Sequence, residues 1–310
     1  NLLVSGVDSF NAKMRRLPKN SQSTNTFKKL QERIKSFGDS LPLIRDLKSD
    51  ALRPRHWQKI AEITGQSFGS SGQPGTVASG MTLETIFAME LNRFSEQIAE
   101  VTSSASHELT IENTLNSIAS SWAGMRFEIV KYSKGTEDRG YILKGIDEIK
   151  TLFEDHLMTL QTMGLSRYVG PFLPTVQKWE KTLALIEEVT QEWMSVQKKW
   201  LYLENIFIGN QDILVRLPEE AKRFARIDKA FKKVMAETSK NTLVVDACST
   251  EGRAELLKNL HGQLQVCQRA LSDYLETKRQ AFARFYFISD DELLSILGST
   301  DLNALQLQVS

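Results

Sequence analysis

The feature of this 310-residue sequence that most constrains its fold is a run of apolar residues at helical spacing between Val176 and Phe207. Successive members lie three or four positions apart, which places them on one face of an α-helix. They are Val176, Trp179, Leu183, Ile186, Val189, Trp193, Val196, Trp200, Leu203 and Phe207. A helix of this length spans roughly 50 Å and is far longer than the usual three or four turns. The run therefore predicts an extended molecule.

Shorter stripes with the same spacing predict further helices on both sides of this run. They are Phe27, Leu30, Ile34, Phe37, Leu41; Phe87, Leu91, Phe94, Ile98, Val101, Ala105; Ile111, Leu115, Ile118, Trp122; Ile146, Ile149, Phe153, Leu157, Leu160, Met163; Phe224, Ile227, Phe231, Val234; and Leu257, Leu260, Leu264, Cys267, Leu271, Tyr274. Pro42 is predicted to break or bend the first helix. The long gap between Ala105 and Ile111 predicts a change of helix register or a join. A last short helix is predicted to begin at Ser289 with a capping box, because Glu292 follows three residues later.

Residues 125–145 do not follow the helical spacing. Apolar residues alternate there with other residues at Phe127, Ile129, Tyr141 and Leu143, and Gly135 and Gly140 lie in the connection. This pattern predicts a β-hairpin. Residues 65–80 are rich in glycine and serine and predict a flexible loop.

The fold class predicted from these patterns is mainly α. We expect an elongated, curved rod of consecutive antiparallel helical bundles with one small β-hairpin insertion. Four parts follow along the chain: helices over residues 1–124 with the flexible loop, the hairpin at 125–145, a central long-helix part at 146–216, and a C-terminal helical part at 217–310.

The overall charge argues against some classes of partner. The formal net charge is +1, so we expect neither nucleic acid nor an anionic membrane to bind. The sequence has no apolar run near 18 residues and no apolar signal segment at its start. Two isolated cysteines, Cys248 and Cys267, are typical of a reducing compartment. We therefore expect an intracellular chain, and its start without methionine predicts a piece of a longer protein.

Motifs for nucleotide binding are missing from the sequence. No glycine precedes a lysine, as a P-loop requires, and no Gly-x-Gly pair occurs for a dinucleotide site. Residues 65–69 do match Gly-x-Ser-x-Gly, the nucleophile elbow of hydrolases. That motif requires a strand before Ser67, whereas a helix is predicted to end at Thr64, so a linker is the favoured interpretation.

Histidines and carboxylates give no catalytic or metal-binding pattern. The histidines are scattered and form no His-x-x-x-His pair; they are His56, His107, His156 and His261. Neighbouring acids such as Asp290 and Asp291 point in different directions on a helix, which favours capping and solvation. We predict that this segment has no catalytic residue, no cofactor and no metal.

Two motifs with aromatic residues could either pack in the core or contact a partner. In VQKKWLYLENIF, Leu201, Tyr202 and Ile206 widen the apolar sector beyond the stripe that contains Trp200. This part of the helix must be covered on more than one face, by neighbouring helices or by a partner. Core packing is favoured for the tryptophan stripe. Arg55, His56 and Trp57 form a possible partner or packing motif, and packing is also favoured over partner contact for them.

Four stretches resemble the linker region of dynein heavy chains, and they occur in the order found in that family. They are ALRPRHW (51–57), the Trp179 to Trp200 pattern leading into WLYLENIF, LPEEAKRF (217–224) and YLETKRQAFARFYFISDDELLSIL (274–297). The resemblance covers nearly the whole chain. Ala283 stands where the family usually has proline. LPLIRDLKSDALRPRHW and SDDELLSIL are nearer to axonemal than to cytoplasmic heavy chains.

The resemblance implies a mechanical element without its own active site. In dyneins the linker is a curved helical rod that arches over the AAA+ ring and switches between bent and straight forms as the ring uses ATP. ATP and Mg²⁺ would then bind in the ring of the parent chain, beyond these residues. The implied partners are that ring, the microtubule through the distant stalk, and intermediate and light chains through the tail. The implied location is the cytoskeleton of a cilium or flagellum.

A hinge is predicted where GNQD interrupts the helices before LPEEAKRF. Its candidate residues are Gly209, Asn210, Gln211, Asp212 and Pro218. Two alternatives remain open from the residues alone. A spectrin-like helical scaffold or tether has the same stripes, and a hydrolase would depend on Ser67.

Overall fold

A computed structural model describes residues 2–18, 24–66, 91–209 and 211–298. Within these residues the chain is mainly α-helical, with 11 helices and one two-stranded antiparallel hairpin. The predicted fold class is confirmed in this respect. The chain divides into two compact units, Asn1–Asn116 with Ser166–Phe172, and Ser117–Leu165 with Leu173–Ser310.

The first unit is built from helices around one apolar core. The elements are α1 Leu2–Arg15, α2 Asn25–Leu47, α3 Pro54–Thr64, a 3-10 turn Leu91–Phe94, the first part of α4 Ser95–Gly124, and a 3-10 turn Gly170–Phe172. Thr24 caps α2 because its hydroxyl accepts the Phe27 N–H at 3.3 Å. The core comprises Leu43, Leu47, Ala51, Leu52, Ile60, Leu91, Ile98, Val101 and Ala105.

The possible break at Pro42 does not occur, because α2 continues through it to Leu47. A proline inside a helix removes the hydrogen bond to the carbonyl four residues earlier, here that of Gly38. The last turn nevertheless carries Leu43 and Leu47, each only 2% exposed in the core. Their burial offsets the lost hydrogen bond.

The predicted join between Ala105 and Ile111 is wrong, because α4 is one continuous helix. The stripe would need a member midway between Ala105 and Ile111, three residues from each. Glu108 occupies this position, and its side chain is buried. The buried face therefore continues without a change of register. Glu108 interrupts the hydrophobic pattern in the sequence but not the helix.

The second unit contains the hairpin and the long helices. After the end of α4 its helical elements are α5 Asp147–Gly164, α6 Leu173–Gly209, α7 Gln211–Arg216, α8 Pro218–Thr238, α9 Val244–Ser249, α10 Arg253–Ala281, a 3-10 turn Ala283–Phe287, and α11 Asp290–Gly298. The capping box of α11 is present. The Ser289 N–H donates to Glu292 Oε2 at 2.9 Å, and the Glu292 N–H donates to Ser289 Oγ at 3.2 Å.

Helix α6 is the central element of this unit. It has 37 residues and packs against α5, α8, α9 and α10. Its predicted stripe is buried from Val176 to Phe207, apart from Trp179, which is only partly buried. The long helix predicted from the spacing is thus present at its full length.

The hairpin lies within the predicted range 125–145. β1 Ile129–Lys134 pairs with β2 Glu137–Leu143, with Ile129 opposite Leu143 and Lys134 opposite Glu137. Gly135 forms the turn with φ +62°, a value that a residue with a Cβ rarely adopts. The register shifts between Tyr132 and Ser133, where the strand carries an irregularity.

Candidate functional site

The predicted Arg-His-Trp motif lies in the first turn of α3, where it forms a buried polar network within the first unit. Nδ1 of His56 accepts the backbone N–H of Arg53 at 3.0 Å. Because Nδ1 is an acceptor, the ring proton lies on Nε2, which donates to Glu108 Oε2 at 3.1 Å. Arg55 Nε donates to the same oxygen at 2.8 Å. Arg53 forms a parallel ion pair with Glu112 at 2.8 Å.

The electrostatics of this network follow from its burial. His56 is 1% and Glu108 is 7% exposed. Burial lowers the pKa of His56, and the hydrogen bond and charge of Glu108 only partly oppose this effect. The imidazole is therefore neutral at neutral pH, and Arg55 compensates the charge of the buried carboxylate.

These contacts tie α3 to α4, since Arg53, Arg55 and His56 all bond to glutamates of α4. Trp57 packs against the apolar core of the same unit. The Arg55 guanidinium also lies over the Phe172 ring, 5.4 Å from its centroid. All three motif residues are thus engaged inside the unit, which favours packing. A partner contact through Arg55, whose side chain is 41% exposed, stays a prediction.

Trp200, the centre of the second predicted motif, is fully buried in the second unit. Its indole Nε1 donates to Asp228 Oδ1 at 3.0 Å. The ring lies 4.9 Å from that of Phe231 and 5.7 Å from that of Tyr132. Trp200 is therefore covered by α8 on one side and by the hairpin on another. Of the residues that widen the apolar sector, Ile206 is buried, whereas Leu201 and Tyr202 are only partly buried.

Helix α6 holds the hairpin through buried polar side chains. Glu204 is fully buried and accepts the Tyr132 hydroxyl at 2.8 Å and Arg139 Nε at 2.8 Å. Gln197 donates to the Leu143 carbonyl and accepts the Leu143 N–H, both at 2.8 Å. The amide of Gln197 thus satisfies both backbone groups of Leu143, as a neighbouring strand would. The hairpin is fixed to the C-terminal half of α6.

Burial, followed by the Glu204 contact, raises the pKa of Tyr132 to about 12. The phenol therefore remains a hydrogen-bond donor throughout the physiological pH range. Among the residues that the structure describes, Glu108 and Glu204 are the buried carboxylates, and neither was predicted from the sequence. A signal for both exists in the sequence, since each lies on the buried side of an apolar helix stripe.

The predicted hinge lies between the end of α6 and the start of α8. Helix α6 ends at Gly209 and α7 begins at Gln211; the side chains of Gln211 and Asp212, and Asn210 entirely, lie outside the described residues. Leu217 alone separates α7 from Pro218, the first residue of α8. The Leu217 N–H donates to the Ile213 carbonyl at 2.8 Å, so helical hydrogen bonding continues from α7 into the connection to α8.

Aromatic contacts connect the two helices on either side of this predicted hinge. The rings of Phe207 on α6 and Phe224 on α8 stack with centroids 5.4 Å apart and planes at 18°. Trp200 and Phe231 make a second aromatic contact, with ring planes tilted by 41°. Rotation between α6 and α8 about residues 209–218 has to separate these rings. The hinge itself stays a prediction.

The other residues considered for chemistry do not converge. Ser67 and Gly69 lie outside the described residues, and the element before them is α3, a helix. His107 stacks on Tyr168, His156 accepts the Trp122 Nε1 proton at 3.0 Å, and His261 bonds to Glu192 at 2.6 Å. Within residues 2–18, 24–66, 91–209 and 211–298, no group of three metal-ligating side chains comes together.

The cysteines are buried and separate. Burial raises the pKa of Cys248 to about 12 and that of Cys267 to about 11, so both thiols are protonated at neutral pH. None of the helices that the structure describes combines the length and the apolar character that a bilayer crossing requires.

These features define a helical framework whose polar clusters tie helix to helix and hairpin to helix. The sequence matches the family described as "Dynein heavy chain, N-terminal region 2" over residues 2–310, and the chain belongs to this family. It is 48% identical over 304 residues to the Dynein-1-alpha heavy chain of the flagellar inner arm I1 complex of Chlamydomonas reinhardtii, covering 98% of this chain and 6% of that one.

Two further relatives agree with this assignment. Dynein axonemal heavy chain 10 of Homo sapiens is 47% identical over 300 residues, covering 97% of this chain and 6% of the relative. The Dynein beta chain of the flagellar outer arm of Chlamydomonas reinhardtii is 35% identical over 300 residues, with shares of 96% and 6%. The chain thus spans about a seventeenth of the length of these relatives. Their names confirm the predicted axonemal type and the predicted cytoskeletal location in a cilium or flagellum.

Proposed function

We propose that this segment is the mechanical linker of its heavy chain. It changes between bent and straight forms over an AAA+ ring in the same chain, and this change converts ATP-driven movements of the ring into force on microtubules. Membership of the dynein heavy chain N-terminal region supports the proposal.

The observation that carries the proposal is the continuity of α6. Its 37 residues correspond to about 55 Å of uninterrupted helix. Neighbouring helices pack on it along this length, and the hairpin is bonded to it through Gln197 and Glu204. An element supported in this way resists bending, because a kink would break packing on several sides.

In this proposal, ATP is bound and hydrolysed outside this segment. ATP and Mg²⁺ bind in the ring, and the segment contributes no catalytic or cofactor-binding residue. The microtubule is reached through the stalk, and intermediate and light chains bind to the tail. The ring shifts the linker between its forms only if it binds the two forms with different affinity.

The hinge is proposed at Gly209, Asn210, Gln211, Asp212 and Pro218. Its direct test is the separation of the Phe207 and Phe224 ring centroids in the complete heavy chain in two nucleotide states. A hinge at this joint predicts that the 5.4 Å separation is lost in one state. A separation that is the same in both states excludes it.

A static scaffold of the spectrin type is the competing function, and family membership favours the lever over it. The two differ in their response to a kink in α6. Lys181 is exposed on α6, so Lys181→Pro removes a backbone hydrogen bond there, while Lys181→Ala keeps it. For the lever, the proline variant of the complete heavy chain moves microtubules more slowly than the alanine variant, while basal ATP hydrolysis is retained. Equal velocities would support the scaffold.

A further inference from the structure

Helix α8 presents a row of exposed basic residues on the side opposite its buried face. The row consists of Lys222, Arg226, Lys229 and Lys233, spaced by four, three and four positions, and we call it the α8 basic stripe. This spacing places all four on one face over about 16 Å. The opposite face, which carries Phe224, Ile227, Phe231 and Val234, is buried.

The stripe is only partly neutralised by its own helix. Lys222 pairs with Glu219 at 3.0 Å and Lys233 with Glu237 at 4.0 Å, at the two ends. Arg226 and Lys229, in the middle, make no ion pair with any carboxylate in the part of the chain that the structure describes. The pKa of Glu219 is lowered by Lys222 first and by Arg226 and Arg223 as well, so the cations act together on a neighbouring carboxylate.

The exposed charged residues of α10 carry both signs and nearly balance; they are Glu255, Lys258, Arg269, Asp273 and Glu276, with a sum of −1. A face of mixed sign is typical of a solvated helix. On α8 the four cations of the stripe outnumber the exposed Glu219 and Glu237, which leaves a sum of +2. A face with net positive charge, within a chain of net charge +1, attracts a partner of opposite sign.

We propose that the α8 basic stripe is a docking surface for an acidic helix of another protein chain, with carboxylates at positions i, i+4, i+7 and i+11. This spacing repeats that of the stripe, so the two helices pair charge for charge. Ala225 and Ala236 are exposed on α8 and are small enough to let a second backbone approach. This surface is independent of the proposed lever function.

Other occupants fit the surface less well. Binding of a single-stranded nucleic acid requires exposed aromatic residues for base stacking, and α8 has none. A lipid surface requires apolar side chains between the cations, and here they are alanines. A second copy offers no matching ladder, because no helix in the described ranges has acidic residues at more than two of the four positions.

The test uses the complete heavy chain and a labelled 20-residue helical peptide with glutamate at i, i+4, i+7 and i+11, followed by fluorescence anisotropy. A peptide of the same composition with its glutamates spread around the helix is the control probe. The test variant is Arg226→Glu with Lys229→Glu. The matched control is Lys181→Glu with Arg269→Glu, which makes the same charge change at exposed positions elsewhere.

The proposal predicts saturable binding of the matched peptide that weakens about tenfold or more in the α8 variant and not in the control variant. A lysine version of the peptide should then bind the α8 variant better than it binds the wild type. Equal binding of the two glutamate peptides, or equal binding by all variants, would overturn the proposal. So would stripe-dependent self-association of the heavy chain, or tighter stripe-dependent binding of a 20-base-pair DNA duplex or of phosphatidylserine vesicles.

Discussion

Glu204→Ala should detach the hairpin from α6 more effectively than any substitution on the hairpin surface. Glu204 is fully buried and bonds to Arg139, which is 8% exposed, and to Tyr132. Its removal leaves a buried guanidinium whose Nη2 already lacks a partner. Breaking one side of a buried ion pair costs about 3–5 kcal/mol. The equilibrium constant for local opening of the hairpin should therefore rise by about two to three and a half orders of magnitude.

Hydrogen exchange of amides 129–143 in the complete heavy chain measures this opening locally, which avoids the unfolding of other domains. Glu137→Ala is the matched control. Glu137 also bonds to Arg139, at 3.3 Å, but its side chain is 68% exposed, so its loss should cost less than about 1 kcal/mol. Replacing both buried partners, as in Arg139→Met with Glu204→Leu, should recover most of the protection. Equal effects of Glu204→Ala and Glu137→Ala would refute the reasoning.

Three further predictions concern other joints. Because burial lowers the pKa of His56 on folding, its contribution to stability is present above pH 6.5 and is lost as the pH falls towards the lower folded pKa; the protection factors of the α3 amides, corrected for the intrinsic pH dependence of exchange, should fall as the pH drops below 6.5, and His56→Gln should abolish this fall. Trp200→Ala should destabilise the packing of α8 by about 3–5 kcal/mol and Trp200→Phe by about 1–2 kcal/mol, seen as faster exchange in α8; a Trp200→Phe variant with no cost would deny the Asp228 hydrogen bond any role. Pro42→Ala should raise the free energy of local opening in the last turn of α2 by up to about 3 kcal/mol, seen as slower hydrogen exchange there. Unchanged exchange would show that Pro42 does not destabilise this turn.

The helices and the hairpin were predictable because their signals are local. The stripe from Val176 to Phe207 needs only a spacing rule, and Gly135 marks a turn that its positive φ requires. The capping box at Ser289 was predictable for the same reason. Such features depend on residues a few positions apart.

Features that depend on residues far apart in sequence were not predictable in this way. Pro42 stays inside α2 because Leu43 and Leu47 reach a core that the helix does not contain. Glu108 resembles a gap in the pattern until Arg55 and His56, more than 50 positions away, supply its partners. Glu204 likewise requires Arg139 from the hairpin. The charged partners of the predicted motifs lie on other elements.

The most direct test of the lever is a comparison of the complete heavy chain in its ATP-bound and nucleotide-free states by electron cryomicroscopy. The lever predicts that α6 keeps about 46 Å between the Cα atoms of Val176 and Phe207 in both states, while the segment is bent in one state and straight in the other. A segment with the same conformation in both states, or one in which α6 itself folds, would contradict the proposed function.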